Sequence, residues 1–478
     1  MVPMLPSTRA LKLVATALLC SIQIVGLAAE DDIVAVCRHY LDANADKRSG
    51  LETRIRGFRG DVGPVIAQLS IPADSNRQDV SGVLAGQLFQ SPDLERTYDK
   101  DLLHYFVPVG YSPVQPIGLL IFMHGGGGKT PREFPRHVVT HPDDDPQSYG
   151  LQPHFKNAPF IIVAPSAPWN ENTGARWNLT EADKYIAAVI QECRYRFNID
   201  TDRIVLGGYS MGGFGAFHLC QRLSDRLAGS VIFSGAWKTT HWKAWTGLPV
   251  FIRHGKADAV APGLDGIRSR PRYTDVFYAR AANQKLGELS ADSVYFEDDG
   301  GHSIRDSTNS WSQLARWMQD KRRDAYARHV VAVSPRGWKS STDTPTPHCR
   351  WITIHEIGDA KIAFDAVELN GPSPTWKETR EAFDSQTFQL GTKDVQAGVV
   401  DAKLEMDNQI TIHTENVKRF SLWLHPSMVD FSRPVRITLN GKQQTHSVNA
   451  SLLDALRSYS RRHDWGLTYP EEIVFAVE

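Results

Sequence analysis

Four stretches of this 478-residue chain combine residue types that together support acyl transfer. They are His124-Gly125-Gly126-Gly127-Gly128, Gly208-Tyr209-Ser210-Met211-Gly212, His254-Gly255-Lys256-Ala257-Asp258 and Asp298-Asp299-Gly300-Gly301-His302. A serine hydroxyl attacks a carbonyl only when a base takes its proton, and the base needs a carboxylate to orient its ring. Ser210 sits in a G-x-S-x-G pattern. The apolar run Ile204-Val205-Leu206 ahead of it reads as a strand, and Phe214, Ala216 and Phe217 behind it read as a helix. A serine on so tight a strand-to-helix turn is held strained with its hydroxyl exposed, and Gly208 and Gly212 remove the side chains that would clash there. Asp258 follows the apolar strand 249–253, at the strand end where open α/β sheets gather their active sites. His302 lies on a loop before a helix, and histidine suits proton transfer near neutrality. Ser210 is therefore the expected nucleophile, Asp258 the acid and His302 the base.

The rivals are weaker. Asp298 and Asp299 stand too close in sequence to His302 to lie beneath its ring, and Asp265 is a poorer candidate still. His241 falls in an aromatic stretch with Trp237, Trp242 and Trp245 that lines a cleft or packs, and His254 reads as structural. Acyl transfer builds an oxyanion that backbone N–H groups must meet. The expected donors are Met211 and one of Gly125 or Gly126, with the His124 ring ordering that loop. Trp169, Trp177 and Trp237 are candidates for the substrate cleft, their faces suited to a sugar or a phenolic acyl group; core packing is equally open for Trp177. His137, His141, Asp143, Asp144 and Asp145 read as a solvated insertion, because no helix or strand fixes a ligand geometry. No metal and no cofactor is expected.

The surrounding elements must hold these residues. From 99 to 326 apolar runs of strand length (102–109, 118–123, 160–164, 204–206, 230–233, 249–253, 293–296) alternate with helical patterns (181–197, 273–286, 307–323). That rhythm implies an α/β fold, a mostly parallel sheet with helices on both faces. Beyond 345 the pattern changes to alternating runs with Asp407-Asn408 and Asn440-Gly441 as hairpin turns, a smaller, mostly β, sandwich-like domain. The expected organisation is a signal peptide over 1–29, an N-terminal segment of unassigned role over 30–98, a catalytic unit over 99–335 and a β-rich domain over 345–478. Ser340-Ser341-Thr342-Asp343-Thr344-Pro345-Thr346-Pro347 serves as linker. On this reading residues 30–335 fold and hydrolyse small esters alone.

The motifs HGGGG, GYSMGGFGA, HGKAD and DDGGH, in this order, resemble the esterase and predicted-peptidase branch of the α/β-hydrolases. The stretch Phe197-Asn198-Ile199-Asp200-Thr201-Asp202-Arg203 is similar to that of secreted feruloyl, acetylxylan and polyhydroxybutyrate depolymerase-type esterases. The likeness covers roughly 100–325 and implies Ser210, Asp258 and His302 as triad, in the chain order the fold uses. Thr201 stands where relatives often have proline. The β-rich tail lies outside the resemblance.

The N-terminus carries Arg9 and Lys12, then a mostly apolar stretch over 13–29 closed by Gly26, Ala28 and Ala29 before Glu30. This is the order of a secretory signal cleaved near Ala28 or Ala29, placing the protein outside the cell or in the periplasm with no stable membrane span. A net charge of −1 with no basic stripe argues against nucleic acid. Lys321, Arg322 and Arg323 read as cations capping a helix C-terminus. After cleavage Cys37, Cys193, Cys220 and Cys349 remain, as two disulfides or as buried thiols. The favoured reading is a secreted carboxylesterase forming an acyl-enzyme, with an ester substrate, acylated polysaccharide among the candidates. A prolyl-oligopeptidase-like peptidase using the same triad and a non-catalytic polysaccharide or surface binder are the alternatives.

Overall fold

The structure, a computed structural model, describes residues 32–71, 76–127, 129–170, 174–179, 181–259, 274–336, 348–370 and 387–477. The expected signal peptide, Gly128, Asp265 and the Ser340–Pro347 linker lie outside the described residues.

The N-terminal segment opens with three helices, α1 (32–42), α2 (Ala45–Arg56) and α3 (Val62–Ser70). Asn44 and Asp61 cap α2 and α3 through side-chain oxygens that accept from Lys47 and Gly63 N–H. An eight-stranded sheet follows: β1 (Gly82–Gln87), β2 (Leu103–Val107), β3 (Ile117–Met123), β4 (Phe160–Pro165), β5 (Ile199–Tyr209), β6 (Gly229–Phe233), β7 (Val250–Gly255) and β8 (Ser293–Asp298). Their spatial order is β1-β2-β4-β3-β5-β6-β7-β8. Only β1 with β2 and β2 with β4 pair antiparallel.

The unbroken apolar character of β3 and β4, and of the second half of β5, follows from burial on both faces. Leu119, Ile121 and Met123 of β3 enter one core and Leu120 and Phe122 the other; Leu206 and Val205 of β5 divide the same way. Helix α4 (Ala182–Arg196), α5 (Met211–Cys220) and α6 (Val276–Glu288) cover the first face, and α7 (Thr308–Trp317) covers the second through Trp311 and Leu314. The sheet is thus mostly parallel with helices on both faces, as the sequence pattern implies.

The C-terminal region is β-rich. Strands β9 (His329–Pro335), β10 (Ile352–Ile357), β11 (Lys361–Asn370), β12 (Thr387–Leu404), β13 (Gln409–Glu415), β14 (Val417–Leu424), β15 (Val435–Leu439), β16 (Lys442–His446) and β17 (Glu471–Ala476) divide between two sheets. Their inner faces meet over Val400, Ala402, Ile410, Ile412 and Ile437 on one side and Ile352, Phe420, Leu422 and Phe475 on the other. Asp407 and Asn408 both take positive φ (56° and 60°), as do Asn440 and Gly441, which is what tight hairpin turns require. Strand β12 is 18 residues long. Its first half pairs with β11, and its second half pairs with β9 and β13.

The two regions interlock. The pair Thr239–Thr240, between β6 and β7, adds to the edge of β11. Helix α8 (Leu452–Arg462) from the tail packs Leu452, Leu453 and Leu456 against Cys37, Ile55 and Val65 of the N-terminal helices. Arg323 does not cap a helix, a correction to the sequence reading: α7 ends at Trp317, and a 3-10 turn ends at Asp320. The buried Arg323 guanidinium instead joins Asp202 of β5 (2.8 Å) to Asp464 of the tail (2.5 Å). Cys37, Cys193, Cys220 and Cys349 are free, buried thiols.

Candidate active site

The turn between β5 and α5 is shaped by contact. A Cβ on Gly212 would lie 2.0 Å from the Met123 carbonyl oxygen, and one on Gly208 would lie 2.5 Å from the Gly212 carbonyl carbon, so only glycine fits either position. Between them Ser210 is forced to φ 54°, ψ −114°, a strained conformation for a residue with a side chain. Its N–H donates to the Phe233 carbonyl at 3.0 Å, which anchors the turn on β6.

That conformation carries Ser210 Oγ to 2.9 Å from His302 Nε2. His302 Nδ1 lies 2.9 Å from Asp258 Oδ2. The partners assign the tautomer: Nδ1–H donates to the carboxylate, and Nε2 accepts from the serine hydroxyl. The Asp258 side chain is 3% exposed and His302 38%, so the carboxylate is sheltered while the imidazole reaches the surface. Asp258 sits in the 3-10 turn Lys256–Ala259 directly after β7. Burial pushes its carboxyl up, but hydrogen bonds and charge from His254 and His302 outweigh burial and leave it below the usual carboxylate range.

Three residues surround these groups; Tyr209 and Thr274 escaped the sequence reading of roles, which makes His254 structural. His254 Nε2 is 2.9 Å from Asp258 Oδ2 and 2.6 Å from the Thr274 carbonyl; both are acceptors, so this nitrogen carries the hydrogen. The Thr274 hydroxyl donates to Asp258 Oδ1 at 3.0 Å. Tyr209 donates its hydroxyl to the His302 carbonyl at 2.6 Å and lays its ring 5.2 Å from the imidazole. Adjacency to Ser210 and Asp258 was the available signal for Tyr209 and His254; Thr274 had none.

Met211 heads α5, where backbone N–H groups lack helical partners. In the glycine loop, Gly125 N–H donates to the Tyr149 hydroxyl at 3.0 Å and Gly127 N–H to Thr130 Oγ1 at 2.8 Å. Of the two loop glycines expected as donors, Gly125 is therefore engaged. Gly126, at φ 109°, has no N–H partner among the described residues. The His124 ring orders this loop: Nδ1 is 2.6 Å from the Gly125 carbonyl, and Nε2 accepts from Ala167 N–H at 3.1 Å. Burial pulls His124 down to about 4, so it stays neutral.

Of the three tryptophans, Trp169 is 56% exposed, on a short hairpin with Gly174–Ala175 beside the Ala167 anchor. Trp177 and Trp237 do not line an open cleft. They are 1% and 3% exposed, and their indole N–H groups donate to the carbonyls of His124 and Tyr278. The rival acids are engaged elsewhere: Asp298 holds Arg253 in a two-pronged pair, and the exposed Asp299 meets Lys256. His241 is half-buried, its ring 5.0 Å from that of Phe364. Among the described residues no group of three or more His, Cys, Asp or Glu side chains is arranged to hold a metal ion, and no helix is long and apolar enough to cross a membrane.

Residues 164–295 match the phospholipase/carboxylesterase family model, and the sheet that holds them is that of an α/β-hydrolase. The chain is 26% identical over 164 residues to a bifunctional acetylxylan esterase/xylanase of Neocallimastix patriciarum, covering 33% of this chain and 21% of that protein. It is 29% identical over 135 residues to lysophospholipase-like protein 1 of Mus musculus, covering 24% and 53%. The chain thus spans about a fifth and about half of the lengths of these relatives. Similar solved structures include a thermostable esterase (20% identity, TM-score 0.38, 50% of this chain and 63% of that one) and a ferulic acid esterase (15%, 0.37, 50% and 97%).

Proposed function

We propose that this α/β-hydrolase is a serine carboxylesterase working through an acyl-enzyme. The observation that carries the reading is the 2.9 Å contact of Ser210 Oγ with His302 Nε2, continued at 2.9 Å to Asp258. His302 takes the hydroxyl proton as Ser210 attacks the ester carbonyl, and Asp258 stabilises the imidazolium that forms. The N–H groups of Met211 and Gly126 receive the oxyanion. His302 then returns the proton to the leaving alcohol, and water, activated by the same imidazole, frees the acid and restores Ser210. The exposed face of Trp169 suits a sugar ring, and the acetylxylan esterase relative is consistent with an acylated polysaccharide as substrate. Export, directed by the segment 1–29, belongs to the same proposal.

The test is labelling with a fluorophosphonate probe, followed by turnover of p-nitrophenyl acyl esters, acetylated xylan, feruloyl esters and short peptides. We expect labelling in the wild type, none in Ser210→Ala, and ester turnover exceeding peptide turnover. A labelled Ser210→Ala chain, or preferred cleavage of peptides, would overturn the reading.

A further inference from the structure

A cavity of about 300 Å³ opens far from Ser210, between α4, the loop after α5, β9 and the end of α8. The ten residues of α5 separate its wall at Gln221–Ser224 from Ser210, a distance of ~15 Å along the helix axis. A molecule seated there does not touch the nucleophile.

The lining is unbalanced in charge. Lys184, Arg194, Arg222, Arg226, Arg461 and Arg462 face it against two carboxylates, Asp183 and Asp464. Both acids are already engaged, Asp183 by Arg222 at 2.8 Å and Asp464 by Arg323. Arg194, Arg226 and Arg461 are half-buried, and none has a carboxylate within ion-pair distance among the described residues. The Arg226 guanidinium meets His348 at 3.5 Å, and Arg461 lies over the Trp423 ring. Arg462 is fully buried, and among the described residues its hydrogen bonds go to carbonyl and hydroxyl oxygens of Arg350, Ser458 and Thr353. Burial, with the charges of Arg461 and Arg226, pulls Arg462 down to about 10 in spite of Tyr469 and Asp225. Like charges crowded in a sheltered space repel, and an anion entering it would relieve that repulsion. Guanidinium forks suit the oxygens of phosphate or carboxylate groups. Leu94, Tyr98 and Ile190 add apolar surface to the same lining.

We propose that this cavity is a binding site for a small organic oxyanion, its phosphate or carboxylate held by Arg194, Arg226 and Arg461 and its carbon body by the apolar surface of Leu94 and Tyr98. The site couples the hydrolase helices to the tail, because its arginines come from both. It is independent of the ester-hydrolysis reading.

Calorimetric titration of the full chain with inorganic phosphate, against sodium chloride at equal ionic strength, tests it. We expect saturable one-site binding, weakened at least roughly tenfold in Arg194→Gln and in Arg461→Gln and largely kept in Arg194→Lys. Hydrolysis of p-nitrophenyl acetate should be unchanged in all three, which also shows that they fold. Binding no stronger than that of chloride, or undiminished in both glutamine variants, would overturn the site. Glucose 6-phosphate and glucuronate then separate the sources. Tighter binding of either than of inorganic phosphate supports the organic body and names its charged group, and weaker binding of both overturns that part of the proposal.

Discussion

At the scale of single residues, the proposed mechanism makes Ser210, His302 and Asp258 one unit, and their losses on mutation should not add. His302→Ala should lower kcat nearly as far as Ser210→Ala, by about 10⁴- to 10⁶-fold, and the double variant should lose little more. Steady-state kinetics on one ester measures this; losses that multiply in the double variant would show that the two side chains work separately. His254 acts through Asp258, because its Nε2–H bridges that carboxylate and the Thr274 carbonyl. His254→Ala should reduce kcat by less than Asp258→Ala while leaving KM near the wild-type value, since it touches no substrate. His254→Gln, which keeps an N–H near that place, should recover part of the rate. A fall in kcat/KM carried wholly by KM would assign His254 to substrate binding instead.

At the scale of elements, the strand-to-helix turn depends on the closeness of β3 to α5. A methyl group on Gly212 would meet the Met123 carbonyl at 2.0 Å, and backbone on both sides prevents an easy retreat. Gly212→Ala should therefore displace the head of α5 and, with it, both Ser210 and the Met211 N–H. We expect a loss of roughly 1–3 kcal/mol in stability and a larger proportional loss in kcat. Urea unfolding and esterase assays on the same preparation check the two together. Wild-type turnover in a folded Gly212→Ala protein would mean that the elbow is not needed to position the nucleophile.

At the scale of the whole molecule, the hydrolase unit and the tail share buried contacts. A chain ending at Pro335 would leave β9 without β12, Arg323 without Asp464, and the N-terminal helices without α8. A buried cation stripped of one partner is costly, by about 3–5 kcal/mol. We expect that shortened chain to be insoluble or inactive on an ester the full chain hydrolyses; a soluble, active product would show that the tail is an appended module. A second test concerns acidity in the tail. Burial first, then the charge of Asp454, push Glu471 up to about 7 from 4.5, against the N–H it accepts from Asn449. The folded state then holds a proton that the unfolded chain releases. The associated stability is full below about pH 4.5 and is lost as pH rises through about 7. Glu471→Gln should therefore raise Tm more at about pH 8 than at about pH 4. An equal change at both would contradict the shift.

What the sequence determined by itself is local and periodic. The apolar runs of β3 to β7 announced strands buried on both faces, because such a run has no solvent side. The glycines at 208 and 212 announced the turn that exposes Ser210, because no larger residue fits there. Asp258 and His302 could be picked out because each follows a strand end, where a mostly parallel sheet gathers its loops, and the structure brings the two side chains together. What only the tertiary structure decided depends on partners distant in the chain. Of the two loop glycines weighed, Gly125 has its N–H taken by Tyr149 and Gly126 has no N–H partner among the described residues, and no spacing in the sequence records that contact. The burial of Trp177 and Trp237 and the bridge from His254 to Asp258 have the same origin. The basic run 321–323 looked like a helix cap because its neighbours are helical. Its true partner, Asp464, lies 141 residues away, and only the packing of the tail on the catalytic unit brings that carboxylate to Arg323.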